Sequence, residues 1–85
     1  VNQSIIFTDN EEWDPIRNAV ICSALVNGFQ VHCCIQGKVI NARFGFAERP
    51  EQFIELFRQY RWDLEDEFEQ MILNEEFDND GWVVI

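Results

Sequence analysis

Cys22, Cys33, Cys34 and His32 are the residues whose types point to nucleophilic, redox or metal chemistry, and their spacing limits what they could share. Asn27-Gly28 lies between two β-rich runs and suits a type I′ hairpin, because both central positions of that turn need positive φ. With those two as the turn, Val26 faces Phe29, Ala24 faces Val31, Cys22 faces Cys33 and Val20 faces Ile35, an apolar set on one side of the hairpin. Ala19, Ile21, Ser23 and Leu25 then share the other side with Gln30, His32, Cys34 and Gln36. The sheet would therefore separate Cys22 and Cys33 from His32 and Cys34, and one metal ion could not collect all four. The spacing also lacks the CxxC or HxxxH pairs of a zinc site, so no metal or cofactor is expected.

A bridge between Cys22 and Cys33 would fall at a hydrogen-bonded ladder position, with Cα atoms about 5.5 Å apart, where cross-strand disulfides are strained. Two buried thiols acting as small apolar side chains is the expectation. His32 and Cys34 are two residues apart on one strand and one face, an arrangement in which imidazole can lower a thiol pKa. They are the reactive-thiol candidate, for a small thiol-based enzyme or redox sensor. An orienting carboxylate and an oxyanion hole are not visible beside them, so Cys34 reads more simply as a partly covered surface cysteine and no catalytic residue is assigned.

Glu65, Asp66, Glu67 and Glu69 form the other cluster. On a helix only Glu65 with Glu69, and Asp63 with Glu67, share a face as i, i+4 pairs, and NEEFDND lacks the ligand spacing of a calcium loop. A solvated face is expected. Trp62 falls off the apolar line of Phe57, Tyr60 and Leu64, which makes it the first choice for an exposed partner contact, with Glu65, Asp66 and Glu69 beside it.

The elements that would hold these residues follow from pattern. Pro50 to Leu73 reads as one long amphipathic helix, with Phe53, Leu56, Phe57, Tyr60, Leu64, Phe68, Met71 and Ile72 at steps of three and four. At about 36 Å it would overrun a seven-residue strand, so it bends near Arg61 to Asp63 or projects its distal half. Arg61 and Glu65 can pair along it. Arg49 is a poor N-cap residue, whereas Pro50 suits the first helical position. Gln3 to Thr8 is an edge strand, DNEEWDP a loop whose Trp13 plugs the core rim, and Trp82 to Ile85 a last antiparallel edge strand. Gly37 to Phe46 fits either a short helix or a strand, and one or two helical turns are favoured. The expected fold is a single α+β domain, a small antiparallel sheet covered on one face by the long helix.

Composition adds exclusions. The 85 residues are 47% hydrophobic and 14% aromatic, which is folding material, and carry a formal net charge of −10. From Asp63 onward there are nine carboxylates and no Lys or Arg. A nucleic-acid backbone would be repelled, since its affinity comes from basic side chains displacing counterions. No apolar run reaches the length of a membrane span, and the start has no basic, then apolar, signal pattern. A cytoplasmic location is the expectation, with the three cysteines as thiols.

Several stretches resemble the YrdB-like family of small bacterial proteins, a domain of unknown function: NQSIIF, the CSALVNGFQVHCCI hairpin, PEQF, LFRQYRWDLEDEFEQMI and GWV. The resemblance spans nearly the whole chain. It implies an α+β domain with an antiparallel sheet covered by the FRQYRWDLE helix, and helical character around Val39 to Arg43. It implies no activity. Relatives begin the helix after a small capping residue, and Glu48-Arg49 departs from that. The leading expectation is a non-enzymatic interaction module presenting an acidic helix face and Trp62 to a protein partner of basic character, or to a second copy as a homodimer.

Overall fold

The computed structural model describes residues 4–85; Gln3, where the first strand was expected to begin, lies outside them. In chain order the elements are β1 (Ile5–Phe7), β2 (Glu12–Asp14), β3 (Ala19–Val26), β4 (Phe29–Gln36), α1 (Gly37–Arg43), α2 (Pro50–Gln59), α3 (Arg61–Leu73) and β5 (Val83–Val84). The sheet runs β1-β3-β4-β5, with β2 also paired to β3.

The β3–β4 hairpin has the register that its turn dictates. Val26 faces Phe29, Ala24 faces Val31, Cys22 faces Cys33 and Val20 faces Ile35. Asn27 and Gly28 take φ values of 52° and 87°, the left-handed conformation that Asn tolerates and Gly adopts freely. Asn27 also anchors β1, donating its N–H to the Ser4 carbonyl at 2.8 Å while its Oδ1 accepts the Ser4 N–H at 3.0 Å.

The stretch around Trp13 is a strand rather than a loop. Phe7 pairs with Ala24 and Glu12 with Ile21, so the four residues Thr8 to Glu11 stand opposite the two residues Cys22 and Ser23. β1 and β2 are the two arms of a strand interrupted by this bulge, which throws Asp9 and Glu11 out of the ladder. Turn-forming residues in the bulge conceal the pairing on either side.

The long helix is two helices. At Tyr60 the backbone departs to φ −109° and ψ 20°, ending α2 and starting α3. The Tyr60 N–H still donates to Leu56 and its carbonyl accepts from Leu64, so this is a kink in a continuous ladder. Phe44 at the end of α1 stacks on the Tyr60 ring, centroids 4.2 Å apart and planes at 13°. The kink allows both halves to bury their apolar sides, Phe53 and Phe57 from α2 and Leu64, Phe68 and Ile72 from α3. At the start of α2, Gln52 Oε1 accepts the N–H groups of Glu48 and Arg49 at 2.8 and 3.0 Å and supplies the cap that Arg49 lacks.

β5 runs parallel to β4, not antiparallel, with Cys33 opposite Val83 and Cys34 opposite Val84, so the sheet is mixed. α1, α2 and α3 form a crossover that returns the chain in the direction of β4, as parallel neighbours require. Ile85 completes the pairing, donating to the Cys34 carbonyl and accepting from Gln36, both at 2.9 Å.

Val20, Cys22, Ala24, Cys33 and Ile35 of the hairpin meet Ile40, Phe53, Phe57, Leu64, Phe68, Ile72 and Val83 in the core. Burial does not follow the face assignment throughout. Phe29, on the core side of the sheet at the hairpin tip, is 78% exposed. Cys34, on the other side, is buried to 2% exposure, and Ala19 and Ser23 on that side are buried as well. That side is not bare: Trp82 stacks on His32 with centroids 4.8 Å apart, and the Arg17 guanidinium lies 3.7 Å from the Trp82 ring centroid.

Candidate functional site

The helices carry their polar side chains outward in two groups. The first surrounds the kink. Arg61, at the start of α3, donates from Nη1 to Asp9 and from Nη2 to Glu11, the two acids thrown out by the bulge. Arg58, one turn earlier, donates from Nε to the same Glu11 oxygen at 2.9 Å. Burial alone would raise the Glu11 carboxyl, but hydrogen bonds from Arg58 and Arg61 and the Arg61 charge outweigh it and hold the group below its usual range. The same acids keep the Arg61 guanidinium above its ordinary value against the opposing effect of burial.

The i, i+4 spacing also lets Arg61 pair with Glu65 along the helix. That contact exists at 3.9 Å, but it is the periphery of a cluster whose main members are some fifty residues away in sequence. Glu65 is pushed up, first by burial and then by the charges of Asp9 and Asp66, with Arg61 acting the other way. Arg58 and Arg61 on one helix flank, three residues apart, were the available signal, but nothing local named their partners. Glu67 is likewise taken, accepting from Arg43 Nη1 at 2.9 Å.

The second group faces solvent along α3. Trp62 is 83% exposed beside a recess of about 270 Å³ at the kink, lined by Arg58, Gln59, Tyr60, Arg61 and Asp63 along with the indole itself. Asp66 is exposed and Glu69 half-buried, one and two turns further along the same flank. Among the described residues neither Asp66 nor Glu69 has an ion-pair partner. Trp62, Asp66 and Glu69 are thus brought together on one outward face, with Glu65 at its border.

On the open side of the sheet, His32 is exposed but its ring lies against Trp82. Cys34 lies beneath that surface, and burial pushes its thiol up, which opposes the thiolate a nucleophile needs. Cys22 is pushed up too, first by the neighbouring Cys33 thiol and then by burial. All three cysteines are free. A shallow depression of about 120 Å³ on this face is lined by Asn10, Glu12, Ile21, Ser23, Gln30 and His32. Its one buried polar side chain, Ser23, already bonds Thr8 at 3.0 Å and Asn10 at 3.2 Å. Among the described residues no group of three or more His, Cys, Asp or Glu side chains is placed to hold a metal ion, and no helix is long and apolar enough to cross a membrane.

Residues 5–85 match the family described as "Protein of unknown function (DUF1488)". Two bacterial relatives, each called uncharacterized protein YrdB, from Escherichia coli (strain K12) and Shigella flexneri, are 47% and 46% identical over 83 residues. Each alignment covers 98% of this chain and 96% of the relative. A crystal structure at 1.60 Å of a DUF1488 protein of unknown function from Shewanella loihica PV-4 has the same fold, with a TM-score of 0.93 and 35% identity. That likeness covers 100% of this chain and 94% of the other.

Proposed function

The chain belongs to the DUF1488 family of proteins of unknown function, and from its surface we propose a non-enzymatic interaction module that presents the outer face of α3 to a protein partner. Trp62 carries this reading. An indole 83% exposed in the first turn of a helix removes a large apolar area from water only when something covers it. Asp66 and Glu69 along the same flank, and Glu65 at its border, give the surface a sign. With a net charge of −10 across the chain, the complementary partner is basic. A second copy would bring like charges to this face, and a nucleic acid or an anionic bilayer would do the same. A reducing, cytoplasmic setting suits the three free thiols.

The test uses the full chain and its Trp62→Ala variant as baits in a bacterial lysate, with quantitative mass spectrometry of what each retains. At least one protein is expected to be enriched by the parent chain and lost with the variant, and retained by a Phe46→Ala control, whose side chain is also exposed but lies in the loop between α1 and α2. Identical recovery by all three baits would remove the support for the module.

A further inference from the structure

We propose, resting on the interaction reading above, that the partner element is an α-helix carrying a basic seam that packs lengthwise on α3. Trp62, Asp66, Glu69 and Leu73 are spaced four, three and four residues apart, the spacing of one coiled-coil seam. They lie on the outward side of α3, away from Leu64, Phe68 and Ile72, which face the core. The eleven steps of helical rise from Trp62 to Leu73 span about 16 Å, enough for three turns of a partner helix.

The two ends of this seam are apolar, Trp62 at 83% and Leu73 at 47% exposure, and the carboxylates at its two central positions have no ion-pair partner among the described residues. Such a pattern specifies its complement. Apolar side chains of the partner would seat against Trp62 and Leu73. Asp66 and Glu69, desolvated between the helices, require Arg or Lys opposite them, and Arg suits the geometry because its guanidinium can bond a carboxylate through two N–H groups. Asp63 beside the seam adds attraction for a basic flanking residue. Two copies related by a two-fold axis would instead set Asp66 and Glu69 against one another, so the occupant is a helix of a different protein.

A synthetic three-heptad helical peptide with Leu, Arg, Arg and Leu at successive seam positions, and its counterpart with Glu in place of both Arg residues, are titrated into the full chain by calorimetry. The Arg peptide is expected to bind and the Glu peptide not to. Trp62→Ala and Leu73→Ala each weaken the Arg peptide about tenfold, which corresponds to ~1.4 kcal/mol. The double variant Asp66→Arg, Glu69→Arg exchanges the preference and takes the Glu peptide, a gain that unfolding could not mimic. Unchanged thermal midpoints confirm that each variant is folded. Absence of binding by the Arg peptide, equal binding of both peptides, or an unreversed preference in the double variant overturns the basic-helix proposal. If that happens while lysate capture still depends on Trp62, the module survives and its partner is of another kind; if capture is independent of Trp62, the module falls as well.

Discussion

The Trp13 indole lies flat on the Phe53 ring, centroids 4.4 Å apart and planes at 16°, and Gly37 sits against both. This pair joins β2 to α2 where β4 passes into α1. A Cβ on Gly37 would stand 3.1 Å from Phe53, 3.1 Å from Trp13 and 3.2 Å from the Asn18 carbonyl, closer than packed side chains normally approach. Gly37 also donates its N–H to that carbonyl at 2.8 Å, so the backbone has little room to retreat. Gly37→Ala is therefore expected to destabilise the fold by about 1–3 kcal/mol, the usual cost of overpacking, although Ala favours a helix start more than Gly. Urea unfolding of the two chains measures it, and equal midpoints would mean that the ring pair shifts freely.

Glu11 is the hub on which Arg58 and Arg61 converge, with its side chain only 5% exposed. Glu11→Gln should cost about 1–2 kcal/mol at neutral pH, the range for charged hydrogen bonds reduced for the exposure of Arg58. The sign with pH follows from the lowered folded-state pKa. The unfolded chain binds the proton first as pH falls, so the Glu11 contribution is complete above about 4.3 and disappears as pH drops through the folded value. Glu65, raised in the fold, acts in reverse, with its contribution present in acid and lost as pH rises through its folded value. The difference between parent and Glu11→Gln isolates the first effect and should shrink between pH 7 and pH 3 in denaturant titrations. A gap that stays constant would show that the carboxylate charge is not what the arginines hold.

Cys34 should behave as an interior thiol. At pH 7 a water-soluble disulfide reagent is expected to label it more than about tenfold slower in the native chain than in denaturant, because access requires opening of the structure. Peptide mapping distinguishes it from Cys22 and Cys33. Rapid labelling of native Cys34 would return the thiol chemistry to consideration.

Asn27 serves the hairpin through its conformation and its side chain together. Asn27→Ala loses tolerance of φ 52° and the Oδ1 acceptor for Ser4, and should cost about 1–2 kcal/mol. Asn27→Gly restores the first and not the second, so it should fall between Ala and the parent in thermal unfolding. A Gly variant no better than Ala would assign the whole effect to the lost acceptor.

The hairpin was legible because its information is local: a turn dipeptide with one allowed geometry and eight residues of alternation on each side. The apolar side of the long segment was legible for the same reason, whereas Gly37 to Phe46 fitted helix and strand alike and its helical turns were only favoured. The length of the long segment called for a bend near Arg61 to Asp63 or a projecting distal half, and it bends; the place at Tyr60 is unmarked, since Phe57, Tyr60, Leu64 and Phe68 keep helical spacing straight through it without Gly or Pro, and the Phe44 ring that seats there comes from another element. The direction of β5 is set by where α3 delivers the chain, which two valines cannot encode. Burial of Cys34 goes with β5 pairing alongside it at Val84 and with Trp82 and Arg17 brought to the same face of the sheet, and the Glu11 cluster depends on a bulge that periodicity cannot register. Trp62 could be singled out in advance because leaving an apolar line is itself a local property.

Parallel pairing of β5 also orders assembly in time. Gln36 and Ile85 are 49 positions apart, so their junction closes a long loop whose entropy must be met before any contact repays it, whereas the β3–β4 hairpin closes over two residues. The hairpin can zip within microseconds and then wait, its outer margin on β4 unsatisfied, until the helices have packed and the final strand docks. That interval is when the chain is most open to strand exchange with a neighbour, and the speed of the last docking step decides how long the vulnerability lasts.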